Sequence, residues 1–330
     1  MTIRRAVLAL LLLGLLTLAA CDPTQNPPAD VQPTIYVAPA TPTVYIPVPI
    51  PPSTTTQSQP TTVLLLGTDR RGAYSGTNNT DTILVFRLDP NTQRVAMLSI
   101  PRDLYIDIPN HGQGRINTAY SEGVRDGTGG LELARQTVSS VLGMPIDHAI
   151  LIDFDVFITL VDAVGGVDVD VPYDIYDPTY PDSGIGYDPF YLPAGQHHLD
   201  GTTALKYART RATAGGDFDR TARQRQIVVA VRDRVLTFDM LPDLVAQSPQ
   251  LWTSLQSAFE TDLTLTEMVD LSVAASKIPI DQLATGSIDQ TCTQPWITPS
   301  GAQVLIPLPD EIDTLVNELF TAPPASASTQ

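Results

Sequence analysis

Between Lys206 and Arg234 the chain places eight of its 19 basic residues, and 17 of the 19 are Arg. The segment runs Tyr207-Ala208-Arg209-Thr210-Arg211, then Gly216-Asp217-Phe218-Asp219-Arg220, then Arg223-Gln224-Arg225-Gln226. Arg209 and Arg211 leave one helix. Arg220, Arg223 and Gln224 share one face at the start of the next, at spacings of three and four. That helix start also offers free N–H groups and the positive end of a dipole. The planar guanidinium fork suits phosphate and carboxylate. Like charges packed this closely repel unless an anion or acids lie among them. The segment is therefore either a pyrophosphate clamp or a set paired internally with Asp217 and Asp219.

A second group of residues sits where strands should end. Gly67-Thr68-Asp69 closes an apolar run, Asn79-Thr80-Asp81-Thr82 opens the next strand, and Ser99-Ile100-Pro101-Arg102-Asp103 ends a third. In open α/β sheets ligands gather beyond strand ends. Two carboxylates beside an Arg can hold a divalent ion and a phosphate, since Mg2+ takes one or two carboxylates and completes its shell with phosphate oxygens. Taken singly, each Asp is also what a turn or a cap looks like. Other chemistries lack their motifs: there is no Gly-x-x-x-x-Gly-Lys loop, no Gly-x-Ser-x-Gly elbow and no His-Glu-x-x-His. The four His, at 111, 148, 197 and 198, have no ligand spacing, and His197-His198 reads as surface.

The elements that must position these residues follow from hydropathy. Val63-Leu64-Leu65-Leu66 reads as a buried strand closed by Gly67. Thr82 to Leu88 and Arg94 to Ile100 are strands joined at Asp89-Pro90-Asn91, a hairpin. Leu131 to Leu142 is a helix stopped by Gly143. Ala149 to Phe154 is a buried strand, Val156 to Val164 a helix, and Val167 to Val171 a half-exposed strand. Asp200 caps a helix through Tyr207, and Arg220 to Leu236 is a long helix. Alternating strands and helices predict an α/β domain layered α-β-α around a mixed sheet. Residues 237–320 read as mainly helical, with a late strand at Val304 to Ile306, packed on the same fold.

Composition narrows the class. Of 330 residues, 43% are apolar and 17% charged, which excludes a chain disordered throughout. A net charge of -17 argues against a nucleic-acid binder. Two cysteines, Cys21 and Cys292, exclude a disulfide scaffold and a Cys-rich metal site. Arg4 and Arg5 precede an apolar run from Ala6 to Ala20, short of the about 20 residues that span a bilayer. The run ends Leu18-Ala19-Ala20-Cys21, which matches the bacterial lipobox. Residues 1–21 are therefore expected to be a lipoprotein signal ending at a lipidated Cys21, with Cys292 left as a buried or quiet thiol. Residues 22–61, rich in Pro and Thr, form a semi-rigid spacer that could hold a domain up to about 100 Å from the membrane. Residues 62–236 form the globular domain that carries the Arg and Asp motifs, and residues 321–330 a disordered tail.

Together the motifs resemble the LytR-CpsA-Psr family. The matching blocks run in order: Leu65-Leu66-Gly67-Thr68-Asp69, Thr80-Asp81-Thr82, Leu98-Ser99-Ile100-Pro101-Arg102-Asp103, Arg115-Ile116-Asn117-Thr118-Ala119-Tyr120, Val161 to Val167, and Arg209 to Gln226. The resemblance implies an α/β sandwich with a hydrophobic tunnel for a polyprenyl chain. It also implies a membrane-attached transferase that moves a glycopolymer from a polyprenyl-pyrophosphate carrier to peptidoglycan or another envelope acceptor, forming a phosphodiester. Carried over by position, Asp69 and Asp81 would bind Mg2+, or alternatively Mn2+. Arg102, Arg115, Arg209, Arg211 and Arg220 would hold the pyrophosphate, Arg223 would assist, and Asp217 and Gln224 would order the network. No general base for the sugar hydroxyl is identifiable in the motifs; an Asp near the metal is the candidate.

The chain departs from the family pattern in three places. A lipid anchor replaces the usual spanning helix, Arg115 stands where Lys is common, and Asp219 stands where Gly is common. The extra acid beside Arg220 would weaken phosphate binding or alter the acceptor. A polyprenyl-pyrophosphate hydrolase and a non-catalytic envelope lipoprotein that binds lipid or glycan remain as alternative functions.

Overall fold

The computed structural model describes residues 59–68, 79–182, 186–237, 259–278 and 283–321. The expected leader, Cys21, most of the Pro-rich spacer, Asp69 and residues 322–330 lie outside these residues.

Strand β1 (Thr61–Thr68) extends the Val63-Leu66 run at both ends. It pairs with β2 (Thr80–Asp89), which forms the expected antiparallel hairpin with β3 (Arg94–Ser99). A second hairpin, β4 (Tyr105–Ile108) with β5 (Gly112–Arg115), has no counterpart in the sequence reading. Helices α1 (Ala119–Asp126) and α2 (Gly130–Leu142) follow, and α2 ends at Gly143, whose φ of 61° is the left-handed conformation that glycine adopts without strain. Next come β6 (His148–Asp153), α3 (Phe154–Ala163) and β7 (Val167–Val171). The short strands β8 (Ile175–Asp177), β9 (Phe190–Leu192) and β10 (Gly195–Leu199) precede α4 (Gly201–Arg209) and α5 (Asp217–Thr237). The Asp200 carboxylate accepts from the Thr203 amide at 2.7 Å, the cap expected for α4.

The six-stranded sheet runs β11-β6-β1-β2-β3-β12, where β11 is Glu260–Thr261 and β12 is Leu283–Ser287. β1 lies parallel to β6, and β3 lies parallel to β12, while β2 runs against both of its neighbours. The sheet is thus mixed, as expected. Helix α6 (Leu265–Ser276) precedes β12; β13 (Thr293–Ile297), β14 (Gln303–Pro307) and α7 (Pro309–Phe320) follow it.

One sheet face presents Leu64, Leu66, Ile83, Val85 and Leu98, which pack against Tyr120, Leu133 and Val138 of α1 and α2 and against Ile312 and Val316 of α7. The other face presents Val63 and Ile150, which pack with Leu263 and with Met268 of α6. A strand covered on both faces needs apolar residues at every position, which explains the unbroken run in β1. A further apolar cluster joins α3, β7, α4 and α5 through Val161, Val167, Tyr207 and Ile227. Among the described residues no helix is long and apolar enough to cross a membrane.

The reading of residues 237–320 as mainly helical is not confirmed by the described part of that range. The described part contains two helices and also β11, β12, β13 and β14, and two of these strands form the edges of the central sheet. Val304 to Ile306 falls in β14 as expected. β12, Leu-Ala-Thr-Gly-Ser, escapes a hydropathy reading because an edge strand needs few apolar residues. Cys292 is a free, buried thiol, as expected.

Candidate active site

Because β2 and its neighbours are antiparallel, the C-terminal ends of β1, β3, β6 and β12 and the N-terminal end of β2 lie at one edge of the sheet. The sequence motifs sit at that edge. The β1–β2 register shifts between Gly67 and Thr68, so that Thr68 faces Thr80. A Cβ on Gly67 would stand 2.9 Å from the Thr82 Cβ, so only glycine lets the two strands close here. Asp81 is thereby fixed at the start of β2.

Asp81 meets Arg102, which follows β3 across Pro101. Arg102 Nη1 donates to Asp81 Oδ2 at 2.6 Å, and Asn117 Nδ2 donates to Oδ1 at 3.1 Å. Burial alone would raise the Asp81 carboxyl, but Arg102, Arg220 and Asn117 together hold it below its ordinary value. Burial alone would likewise lower the Arg102 guanidinium, and the opposing pull of Asp81, Asp103 and Asp217 raises it.

Asp217, at the first turn of α5, is the hub of the cluster. Its Oδ1 lies 2.9 Å from Arg220 Nη2, 3.3 Å from Arg211 Nε and 3.7 Å from Arg102 Nε. One carboxylate therefore serves three guanidinium groups. Arg220 is only 3% exposed and also donates to the Asp81 carbonyl at 3.1 Å. Burial pushes the Arg220 guanidinium down to about 10, with Arg211 and Arg102 adding to the drop against Asp217, so it stays charged at neutral pH. Burial and the facing Arg102 also lower Arg211. Mutual repulsion of this kind favours an added anion.

The cluster opens into a cleft of about 310 Å³. Asp81, Arg102, Arg211, Arg220 and Gln224 line it, together with Thr82, Phe154, Asp177, Tyr180, Pro181, Arg209 and Thr210. Arg209 stacks on the Phe154 ring at 4.1 Å and donates through Nη1 to the Tyr180 hydroxyl at 3.1 Å. This contact holds the guanidinium flat against an apolar wall. Thr210 Oγ1 donates to the buried Asp177 carboxylate at 2.7 Å, which fixes the α4–α5 turn to β8. The Gln224 amide donates to the Ala208 carbonyl at 3.4 Å.

Thus Arg102, Arg209, Arg211, Arg220, Asp217, Gln224 and Asp81 come together. Two expected contributors do not enter the cleft. Arg223 is 4% exposed and is spent on the end of α4: its Nε donates to the Tyr207 carbonyl at 2.9 Å and its Nη2 to the Thr210 carbonyl. It satisfies carbonyls that the end of α4 leaves unpaired. Arg115 stands one residue behind the cleft, with its Nε 3.1 Å from Asp103 Oδ1 and its Nη2 donating to the Gln303 carbonyl at 2.8 Å. Asp103 links it to Arg102, whose Nε lies 3.5 Å from the same carboxylate.

A structural role for Arg223 has a direct consequence. Arg223→Ala is expected to lower unfolding stability in denaturant by about 2–3 kcal/mol, the cost of leaving two buried carbonyls unpaired. Arg223→Lys is not expected to restore it, because an ammonium cannot fork to both carbonyls. Unchanged stability in Arg223→Ala, with weaker pyrophosphate binding, would return Arg223 to the cleft.

Asp219 is also turned away. Its Oδ2 accepts from the Tyr173 hydroxyl at 2.8 Å and from the Gly215 amide at 2.9 Å, bracing the loop before α5. It does not line the cleft.

Among the described residues no three His, Cys, Asp or Glu side chains converge as a metal site. Asp81 still fits a hard divalent ion. Its side chain is 35% exposed at the cleft, and a carboxylate with two hydrogen bonds keeps acceptor capacity on both oxygens. One or two carboxylates with phosphate oxygens are a sufficient donor set for Mg2+.

Asn117, Phe154, Asp177, Tyr180 and Thr210 were not singled out in the sequence as site residues. Asn117 lies inside the quoted Arg115-Ile116-Asn117-Thr118 block, which was a signal within reach. Tyr180 and Asp177 lie in a loop-rich stretch with no periodicity to flag them.

Arg and Asp side chains and an apolar wall thus line one cleft at the carboxyl edge of the sheet. The LytR_cpsA_psr family model matches residues 42–321, and the chain belongs to that family. It is 34% identical over 210 residues to the polyisoprenyl-teichoic acid–peptidoglycan teichoic acid transferase TagU of Oceanobacillus iheyensis, covering 63% of this chain and 61% of the relative. It is 32% identical over 236 residues to the corresponding transferase TagV of Bacillus subtilis, covering 70% and 57%. The chain thus spans less than two thirds of either relative. The crystal structure of B. subtilis TagV superposes with a TM-score of 0.62 at 28% identity, covering 80% of this chain and 97% of that one. TagT with bound octaprenyl pyrophosphate lipid shares the fold, with a TM-score of 0.55 at 23% identity, covering 80% and 90%.

Proposed function

We propose that this chain is an extracytoplasmic phosphotransferase that moves a glycopolymer from a polyprenyl-pyrophosphate carrier to peptidoglycan or another envelope acceptor. The observation that carries this reading is the convergence of Arg102, Arg211 and Arg220 on the single carboxylate of Asp217, with Arg209 lining the same cleft. The names of the TagU and TagV relatives support the same reaction class.

The step is a displacement at phosphorus. A sugar hydroxyl of the acceptor forms a bond to the glycan-linked phosphorus and gives up its proton to a carboxylate near the metal, the candidate base. The P–O–P bridge breaks, and polyprenyl phosphate leaves with the bridging electron pair. Positioning and charge neutralisation dominate such transfers. Arg102, Arg211 and Arg220 hold the pyrophosphate oxygens, Arg209 orients the group against Phe154 and Tyr180, and Gln224 braces the turn that carries Arg209. Asp81, with Asp69 on the strength of the resemblance, would hold Mg2+ or Mn2+, whose charge neutralises phosphate oxygens. The partly buried Leu65, Ile152, Phe259, Leu265, Val269 and Leu271 offer apolar surface for the polyprenyl chain. The Leu18-Ala19-Ala20-Cys21 motif supports anchoring to the membrane as a lipoprotein, with residues 22–61 as the spacer.

Inorganic pyrophosphate with Mg2+ tests the clamp by titration calorimetry on the full chain in detergent. Binding is expected, weakened about tenfold or more by Arg209→Ala or by Arg211→Ala, since a charge-assisted contact is worth about 1.5–3 kcal/mol. No heat of binding, or equal binding in both variants, contradicts the reading.

A further inference from the structure

The β13–β14 hairpin lies in an uncharged stretch. Between Asp289 and Asp310 no residue is acidic or basic, although the whole chain has a net charge of -17. Among the described residues β13 pairs only with β14, so its outer edge is open. From Gln294 to Ile297 every residue of β13 is exposed, so both faces of the strand meet solvent. Two of these residues are large and apolar: Trp296 is 43% and Ile297 63% exposed. The Trp296 ring tilts against Tyr105 of β4, with centroids 5.9 Å apart. Beside this pair, Val141, Ile306, Pro309 and Ile312 continue the apolar surface as a groove of about 570 Å³. Asp107 is the one charged residue lining the groove, two residues farther along β4 than Tyr105.

Named contacts tie the hairpin to the cleft. The Leu305 amide donates to the Asp103 carbonyl at 2.9 Å, and Leu305 bridges Leu104 in parallel. Gln303, which pairs with Ile297 beside the turn, accepts from Arg115 Nη2 at 2.8 Å. Arg115 and Arg102 share the Asp103 carboxylate, and Arg102 lines the cleft. Because β14 runs parallel to β4, the Ile297–Gln303 pair lies about 7 Å, two residues of strand, back from Leu305 toward the cleft.

The residue types select the partner. A second copy adding a strand to the open edge would need its N–H groups, and Pro295, at the middle of β13, has none. A charged polymer would need opposite charge, and the hairpin has none. An uncharged polymer stacked on Trp296 would leave Ile297 bare, because successive strand residues point to opposite faces. A bilayer interface surrounds the strand and engages both faces at once. It also favours Trp at its boundary and has no charge to desolvate here. The acidic remainder of the chain is repelled by an anionic leaflet, which an uncharged hairpin approaches at lower cost.

We propose that the tip of the β13–β14 hairpin is a membrane-contact site, with Trp296 and Ile297 seated in the lipid interface. The contact stands apart from the phosphotransfer reading. Where that reading holds, it brings the rim of the clamp to the level of the lipid headgroups.

The test is tryptophan fluorescence on the full chain reconstituted into vesicles of equal parts phosphatidylglycerol and phosphatidylcholine, the latter brominated in its acyl chains as quencher. The chain has two tryptophans, so Trp252→Phe leaves Trp296 as the reporter. Trp296 is expected to lose about half of its emission or more to the brominated lipid, as a side chain seated at the interface does. Adding Ile297→Asp is expected to cut that quenching at least about twofold, because a carboxylate resists the interface. Trp296→Phe, compared with the unaltered chain, gives the same signal by difference. Quenching of Trp296 by iodide from the water phase, with none by brominated lipid, overturns the proposal. So does shielding from iodide that follows protein concentration and not lipid, which would make the hairpin a contact between copies. Shielding that appears only on adding a soluble sugar oligomer would make it a glycan contact, and overturns the proposal too. Pyrophosphate binding by the Ile297→Asp chain is expected to match that of the unaltered chain, since Ile297 does not line the cleft. Failure of the contact and failure of the clamp are therefore read separately.

Discussion

Arg102→Ala is expected to lower the transfer rate about 10³-fold or more, the scale found when a charge-stabilising donor is removed from a phosphoryl-transfer or oxyanion site. Arg102 holds Asp81 at 2.6 Å and approaches Asp217 and Asp103, so it joins the candidate metal-binding side of the cleft to the clamp. The fold should survive, since the Arg102 side chain keeps 19% of its surface exposed and the strand beneath it packs independently. A change in pH dependence should accompany the loss. In the intact protein burial works to raise the Asp81 carboxyl, and Arg102 is the foremost group outweighing it. Without Arg102 the carboxyl rises, so residual activity that needs the Asp81 carboxylate should fail at a higher pH as the solution is acidified. Rate profiles against pH for Arg102→Ala and the unaltered chain check both points. A full rate in the variant contradicts the assignment.

Asp217→Ala is expected to cost about 2–4 kcal/mol of stability as well as most of the activity. The carboxylate is 21% exposed, yet it stands among Arg102, Arg211 and the almost fully buried Arg220. Removing one partner from such a set leaves buried like charges uncompensated, the costly way to break a buried pair. Part of the loss should be recoverable. Pyrophosphate can take the place of the missing negative charge, so it should raise the melting temperature of Asp217→Ala more than that of the unaltered chain. Thermal unfolding with and without pyrophosphate measures this. Equal shifts in the two proteins contradict a hub role for Asp217.

The two readings of the Arg segment, clamp and internal pairing, turn out to describe one arrangement. Asp217 pairs with three guanidinium groups and leaves them aimed at a shared cleft, whereas Asp219 braces Tyr173 and Gly215 outside it. Spacing along α5 placed Arg220, Arg223 and Gln224 on one face correctly. It could not show that Arg223 is spent on the carbonyls of Tyr207 and Thr210, because that depends on how the end of α4 meets α5.

The central strands were legible because a sheet covered on both faces demands unbroken apolar runs such as Val63 to Leu66. The helix ends were legible at Asp200 and Gly143, where capping chemistry is local. The β4–β5 and β8–β9 hairpins and the edge strand β12 were not. They are short and half exposed, and β12 is set by its pairing with β3, far away in sequence. Asp177 and Tyr180 were hidden because contacts outside their own segment bring them to the cleft: Asp177 pairs with Phe190 and accepts from Thr210, and Tyr180 accepts from Arg209.

The most direct test of phosphotransfer follows the products by mass spectrometry. The full chain in detergent would be incubated with a polyprenyl-pyrophosphate-linked sugar and Mg2+, with and without peptidoglycan fragments. The account predicts polyprenyl phosphate release together with a sugar joined to the fragment through a phosphodiester, formed only when the fragment is present. Free sugar phosphate at the same rate with and without fragments would mean that water is the acceptor, and would contradict the transferase; bound, unreacted lipid under both conditions would contradict catalysis altogether.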